Sequence, residues 1–250
     1  MNIKNRILTV AIFFSLLGSC TTKYELVKSN REEYKISSDV AVDSTIIKTY
    51  LPYKAKLDAE MNEIIGETDV ILSKGSSLPE SVLGNFFADA VFNQVKKLEP
   101  KVDFVFPTTK GGLRNDIAKG QIKVSNIFEL MPFENQLVMF NLKGNDVLKV
   151  VNYIAASNGQ PVSGLKFNIK DKQAENIEIN GKAFDTNANY WVVASDYIAS
   201  GGDDATGFAT PISRKNIGLL VRDALLNEVK DFKAAGKSIN TKLDGRITKN

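Results

Sequence analysis

Residues 80–98 constrain the fold more than any other stretch of this 250-residue chain. Val82, Phe86, Phe87, Ala90, Val91, Phe92 and Val95 recur at helical spacing; Pro79 and Glu80 stand at the start and Pro100 follows the end. Such a stripe predicts an amphipathic helix that must lie against a core. Directly after it comes Val102-Asp103-Phe104-Val105-Phe106, closed by Pro107. That run predicts a short buried strand. A one-faced helix feeding a buried strand favours helices packed on sheet.

The remaining pattern extends this reading. Ile46, Tyr50, Tyr53 and Leu57 predict a helix over 45–61, and residues 64–72 predict a strand that Gly75 breaks. Residues 108–120 form a loop rich in glycine and charge, and Ser125 can cap a short helix through Leu130. Strands are predicted at 136–142, 162–169, 177–179 and 190–194, with Asn180-Gly181 as a tight turn, and a helix at 145–156. Ile217, Leu220, Val221, Ala224, Leu225, Val229 and Phe232 predict a last helix, ended by Gly236, with an edge strand at 246–248. Helices and strands mix without strict alternation. The expected class is α+β, with mixed sheets covered by helices. An apolar fraction of 43% is ordinary for a globule.

The first residues read as an address. Lys4 and Arg6 precede an apolar run at 7–17 that is too short for a comfortable membrane span. The run ends in Leu17-Gly18-Ser19-Cys20, where small residues precede the single cysteine. That arrangement resembles the lipobox of bacterial lipoproteins, which implies a signal peptide at 1–19, cleavage before Cys20 and lipidation of Cys20. The alternative is an ordinary secretory peptide with an incidental cysteine. A lone cysteine forms no internal disulfide in a monomer, and acyl chains anchor through roughly 0.8 kcal/mol per buried methylene. The expectation is a lipid-anchored protein of the bacterial cell envelope, periplasmic or surface-facing, with a polar tether at 20–44 and one domain at 45–250.

Charge and composition exclude some functions. Formal charge is +3, and removing residues 1–19 takes away Lys4 and Arg6 and no acid. Nothing in that balance suggests nucleic-acid binding. The chain contains no histidine, which removes the usual metal ligand and the usual general base. No catalytic residue and no cofactor is assigned to it.

Two distant loops carry the chemistry that remains. Lys110-Gly111-Gly112-Leu113-Arg114 combines a backbone that can approach a ligand with a planar cation suited to hydroxyls, phosphate or carboxylate. Some twenty residues on, Phe133 in Met131-Pro132-Phe133-Glu134-Asn135 sits between a helix and a strand, where a ring can be turned outward to face a nucleobase. Asp196-Tyr197-Ile198-Ala199-Ser200-Gly201-Gly202-Asp203 follows a strand and offers a second ring and a carboxylate that could accept from a vicinal diol. Each residue also has an ordinary reading: a turn for the glycines, a core place for Phe133, a self-bonded turn for Asp203. Together they read as two walls of one pocket.

These motifs occur in order with Leu83-Gly84-Asn85, Ala88-Asp89-Ala90, Gly120-Gln121-Ile122, Leu142-Lys143-Gly144 and Val162-Ser163-Gly164-Leu165. The set resembles the C-terminal, substrate-binding domain of the 5′-nucleotidase/UDP-sugar hydrolase family over about residues 45–250. The resemblance implies that family's layered α+β fold, a clamp of Phe133 and Tyr197 on a nucleobase, and ribose contacts from Arg114 and Asp203. It further implies a base contact from Asn135 and close backbone approach at Gly112 and Gly164. Thr109 stands where the family has asparagine, Tyr197 where phenylalanine is usual and Asp204 where glycine is frequent. Ser76, Ser77 and Pro79 replace a stretch that carries an arginine.

Full-length members add a metallophosphatase domain whose two metals are held by histidines and carboxylates. With only about 25 residues between Cys20 and the resemblance, the expectation is a substrate-recognition domain of a nucleotide phosphohydrolase system. Divalent metals would belong to a separately encoded metallophosphatase partner, and the chain alone would not be active. The alternatives are a non-catalytic nucleoside-binding lipoprotein and a degenerate domain kept for protein contacts.

Overall fold

The structure is a computed structural model that describes residues 24–75 and 77–249. The expected signal peptide at 1–19, Cys20 and Ser76 lie outside the described residues. The chain forms two compact units, residues 1–49 and residues 50–250. In the first, residues 24–43 hold no helix or strand, and Tyr24, Leu26 and Val27 are exposed. Asp43 then opens helix α1 (Ser44–Met61), accepting from the backbone N–H of Thr45 at 2.8 Å and of Ile46 at 3.3 Å. Those donors hold the Asp43 carboxyl below the usual carboxylate range. Among the described residues no helix is long and apolar enough to cross a membrane.

The second unit continues with β1 (Ile64–Thr68), α2 (Val82–Leu98), β2 (Phe104–Phe106), a 3-10 turn at Lys110–Gly112, β3 (Gly120–Lys123), α3 (Val124–Leu130) and β4 (Gln136–Lys143). Then come α4 (Gly144–Ala156), β5 (Leu165–Lys170), β6 (Gln173–Ile179), β7 (Lys182–Ala183), β8 (Asn189–Ser195) and α5 (Asp196–Ala199). A 3-10 turn at Gly202–Asp204, β9 (Ser213–Leu220), α6 (Val221–Ala234) and β10 (Ile247–Lys249) complete it. The strands form one two-stranded sheet, β1-β3, and two four-stranded sheets, β10-β5-β6-β7 and β2-β8-β4-β9. Parallel and antiparallel pairs coexist in both larger sheets, so the architecture is α+β with mixed sheets covered by helices.

The sheet β2-β8-β4-β9 divides the core. Successive side chains of a strand point to opposite faces, and β4 uses both. Leu137 and Met139 join a cluster with Leu83, Phe87 and Val91 of α2, Ile127 of α3, and Leu225 and Val229 of α6. Val138, Phe140 and Leu142 join a second cluster with Val147, Val150 and Ile154 of α4 and Phe167 and Ile169 of β5. Coverage on both faces is why β4 and β8 read as almost continuous apolar runs. Each buried aliphatic or aromatic side chain contributes on the order of 1.5–3 kcal/mol. Helix α2 starts where Ser81 accepts from the backbone N–H of Gly84 at 3.0 Å, and Lys96 and Lys97 in its last turn suit the helix dipole.

One boundary differs from the expectation. Ile217 and Leu220 lie in β9, not in the last helix, which begins at Val221. The three-residue spacing of those two fits a helix, but Gly218 has φ +75°, outside helical backbone, and β9 pairs antiparallel with β4. Strand β1 also stops at Thr68, where its partner β3 begins at Gly120.

Gly164 has φ +80°, and a Cβ there would lie 2.4 Å from the Asp103 carbonyl oxygen and 3.0 Å from the Phe104 Cα. Gly164→Ala is therefore expected to destabilise the protein by about 2 kcal/mol or more. Denaturant unfolding measures this, and a loss under about 0.5 kcal/mol would contradict the packing described.

Candidate functional site

Three loops far apart in sequence leave the central sheet at one end. β2 runs parallel to β8, with Phe106 opposite Ala194, and β4 runs antiparallel to β8, with Leu137 opposite Ser195. The C-terminal ends of β2 and β8 thus coincide with the N-terminal end of β4. Residues 107–114, 196–204 and 131–135 are the segments attached there. The Val221 N–H donates to the Asn135 carbonyl at 2.9 Å, which brings the start of α6 to the same end.

Those loops enclose a cleft of about 820 Å³. Gly112, Arg114, Phe133, Asn135, Tyr197 and Asp203 all line it, together with Thr108, Gly111, Pro132, Glu134 and Ser195. Tyr197 is 48% exposed, and Phe133 is half-buried with part of its ring against the first core. Both residues line the cleft, and their rings do not contact each other. The Arg114 guanidinium lies over the Phe133 ring, 5.1 Å from its centroid. The Arg114 backbone N–H donates to the Leu130 carbonyl at 3.0 Å, fixing where that side chain starts. Gly112 packs so closely that a Cβ would lie 2.0 Å from Thr108 Oγ1. A side chain at that position would have to push the Thr108 hydroxyl aside.

Asp203 is the most heavily tied residue of the cleft. Its Oδ1 accepts from the Tyr197 hydroxyl at 2.9 Å and its Oδ2 from the Thr109 hydroxyl at 2.5 Å. The Tyr153 hydroxyl of α4 donates to its backbone carbonyl at 2.6 Å. The bond to Asp203 is the main reason that the Tyr197 phenol is pushed above its ordinary range; burial does the same for Tyr153. Asn135 donates from Nδ2 to Asp196 Oδ1 at 3.0 Å, and the same oxygen accepts from the Tyr197 backbone N–H at 2.8 Å. Asp196 therefore ties two cleft walls together.

Thr109 does not line the cleft; it reaches the site through Asp203. Gly164 is not brought to it at all. It lines a separate depression with Lys166, Asn180 and Arg246, and its positive φ and close packing against Asp103 account for the glycine there. Lys110 also turns away: its ammonium donates to the Leu78 and Asn158 carbonyls at 3.1 and 2.9 Å, and burial lowers its pKa.

Some supporting residues had no sequence signal. Arg222, near the start of α6, is buried and donates to Glu134 Oε1 at 2.5 Å and to the Phe133 carbonyl at 3.4 Å. Its guanidinium packs 4.2 Å from the centroid of Phe128, and its Nε has no partner. A buried cation costs heavily unless paired, so Arg222 and Glu134 hold the Phe133 loop from beneath. Ser195, whose hydroxyl accepts from the Ile198 N–H at 3.3 Å, caps the short helix bearing Tyr197. A serine before Asp196 was the one cue available for it.

Comparison with known proteins agrees with the motif order. The family model described as 5′-nucleotidase, C-terminal domain, matches residues 64–210. A cell wall protein of Listeria monocytogenes is 30% identical over 221 residues, covering 77% of this chain and 28% of that protein. A trifunctional nucleotide phosphoesterase protein of Bacillus subtilis is 27% identical over 214 residues, covering 78% of this chain and 14% of that protein. Among solved structures, a 5′-nucleotidase precursor from Thermus thermophilus superposes with TM-score 0.68 at 27% identity, covering 81% of this chain and 42% of that one. The chain thus spans less than half the length of each of these relatives.

The Tyr197–Asp203 bond has a titration signature. Ionising Tyr197 would lose a donor and set two negative charges side by side, so its midpoint should lie above the ordinary tyrosine value of about 10. Asp203→Asn should bring it down. Tyrosine Cζ chemical shifts followed with pH measure both, and an equal midpoint in the two proteins would contradict the bond.

Proposed function

The chain belongs to the 5′-nucleotidase C-terminal domain family, and on that premise we propose that its cleft binds the nucleoside part of a nucleotide. Phosphate hydrolysis would be supplied by a metallophosphatase on a separate polypeptide. The observation that carries this reading is the convergence of Phe133, Tyr197, Arg114 and Asp203 on one cleft. Each group has a distinct task. Two aromatic faces stack on a heterocycle, at roughly 1–3 kcal/mol per stacked ring. The Arg114 fork donates to ring or sugar oxygens. The Asp203 carboxylate, an acceptor only, accepts hydrogen bonds from sugar hydroxyls. Asn135, steadied by Asp196, presents an amide to the edge of the base.

The reaction itself is assigned to the partner. A two-metal phosphohydrolase needs clustered ligands to hold its ions and activate water. The chain has no histidine, and among the described residues no group of three or more His, Cys, Asp or Glu side chains is placed to hold a metal. These side chains do not fit such a centre, and no hydrolytic step is routed through them. On this reading the chain contributes substrate affinity and position, which lower the barrier on the partner's side by orienting the phosphate.

Calorimetry with adenosine, AMP and a UDP-sugar tests the reading. The protein should bind at least one, and Phe133→Ala and Tyr197→Ala should each weaken that binding about tenfold or more. Unchanged affinity in both variants would contradict the clamp. Adding the protein to a candidate metallophosphatase should lower KM for nucleotide. Binding without any kinetic gain would instead favour a receptor or scavenging role.

A further inference from the structure

We propose that the hydroxyl groups of Tyr197 and Thr109 set the sugar specificity of the cleft, by locking the Asp203 carboxylate in the plane that accepts a vicinal diol. This rests on the nucleoside-binding reading above and goes beyond it. There, Tyr197 acts only through its ring, and Thr109 has no task.

The argument starts from the backbone. Asp203 and Asp204 have φ +53° and +60°, two consecutive left-handed residues with side chains. Aspartate adopts that conformation more readily than most residues but still at a cost, and the surrounding bonds hold it here. The Asp204 N–H donates to the Gly201 carbonyl at 3.1 Å, the Ala205 N–H donates to the Gly202 carbonyl at 3.2 Å, and the Tyr153 hydroxyl holds the Asp203 carbonyl. The side chain is then fixed from two independent elements. Thr109 reaches it from the loop after β2, and Tyr197 from α5.

Each carboxylate oxygen accepts one hydroxyl in this arrangement. A carboxylate oxygen has two lone pairs, so one acceptor position remains on each. On the proposal, those two positions receive adjacent hydroxyls of one sugar ring, one on each oxygen. A free aspartate would rotate about its side-chain bonds and meet a diol in this geometry only part of the time. Ordering it beforehand removes that cost from binding. The gain falls only on ligands that carry both hydroxyls.

Gly202 is part of the device. A Cβ at this position would lie 2.5 Å from Tyr197 Cε1, so the tyrosine ring rests flat on the glycine backbone. Any side chain there would displace the ring and carry its hydroxyl away from Asp203.

The test measures affinities for adenosine and 2′-deoxyadenosine by calorimetry, with thermal midpoints as a check on folding. Tyr197→Phe keeps the ring and removes only the hydroxyl. It should weaken adenosine about three- to tenfold and 2′-deoxyadenosine less, narrowing the ratio between them. Thr109→Val should do the same. A merely structural role would move the thermal midpoint and both ligands together. Equal loss for the two ligands, or no loss for either, overturns the inference and leaves nucleoside binding standing. Wild-type protein that binds adenosine without preferring it over the deoxy form also overturns the inference alone. Wild-type protein that binds neither overturns the inference, and the functional reading falls with it if AMP and the UDP-sugar also fail to bind.

Discussion

The pairing of β2, β8 and β4 is the constraint on which the site depends. With Phe106 opposite Ala194 and Leu137 opposite Ser195, three strand ends fall at one level. A slip of one residue would turn the side chains of a strand to the opposite face. In β4 that would exchange the residues facing the two cores, Leu137 and Met139 on one side and Val138, Phe140 and Leu142 on the other. The same burial that stabilises the sheet therefore fixes its register. Residues as distant as Arg114 and Asp203 line one cleft because of that alignment.

On that frame the cleft is held by polar ties rather than by its own packing. Arg222 and Glu134 support the Phe133 loop from below. Asp196 joins Asn135 to the Tyr197 backbone, and Asp203 gathers hydroxyls from Thr109, Tyr197 and Tyr153. Pre-ordered polar groups in a cleft lower the cost of binding, because little remains to be frozen when the ligand arrives. Glycine serves the same end at Gly112 and Gly202, where the walls come too close for a side chain.

Much of this was legible in the sequence, for identifiable reasons. α2, β2, β4 and β8 each have a strong apolar pattern of one period, and the structure places them within a few residues of the expectation. The β9–α6 junction was not legible, because Ile217 and Leu220 fit both periods and only the backbone of Gly218 decides between them. At the site, Phe133, Tyr197, Arg114, Asp203, Asn135 and Gly112 stand in loops whose composition marked them, and all line the cleft. Gly164 carried the same mark for a different cause, tight packing on Asp103. Arg222 and Tyr153 left no mark: each lies within a helix, where an arginine or tyrosine is unremarked until its contacts are known. Thr109, where the family has asparagine, gave no sign that its hydroxyl is bound to Asp203.

The central proposal is that a nucleobase sits between the rings of Phe133 and Tyr197, two residues that line one cleft. Intermolecular nuclear Overhauser effects between adenosine and protein labelled at phenylalanine and tyrosine test it most directly. The account predicts contacts from the base protons to both Phe133 and Tyr197, and from the ribose to neither ring's outer face. Base contacts to one ring only, or to residues of α2 and α6 away from the cleft, would contradict it.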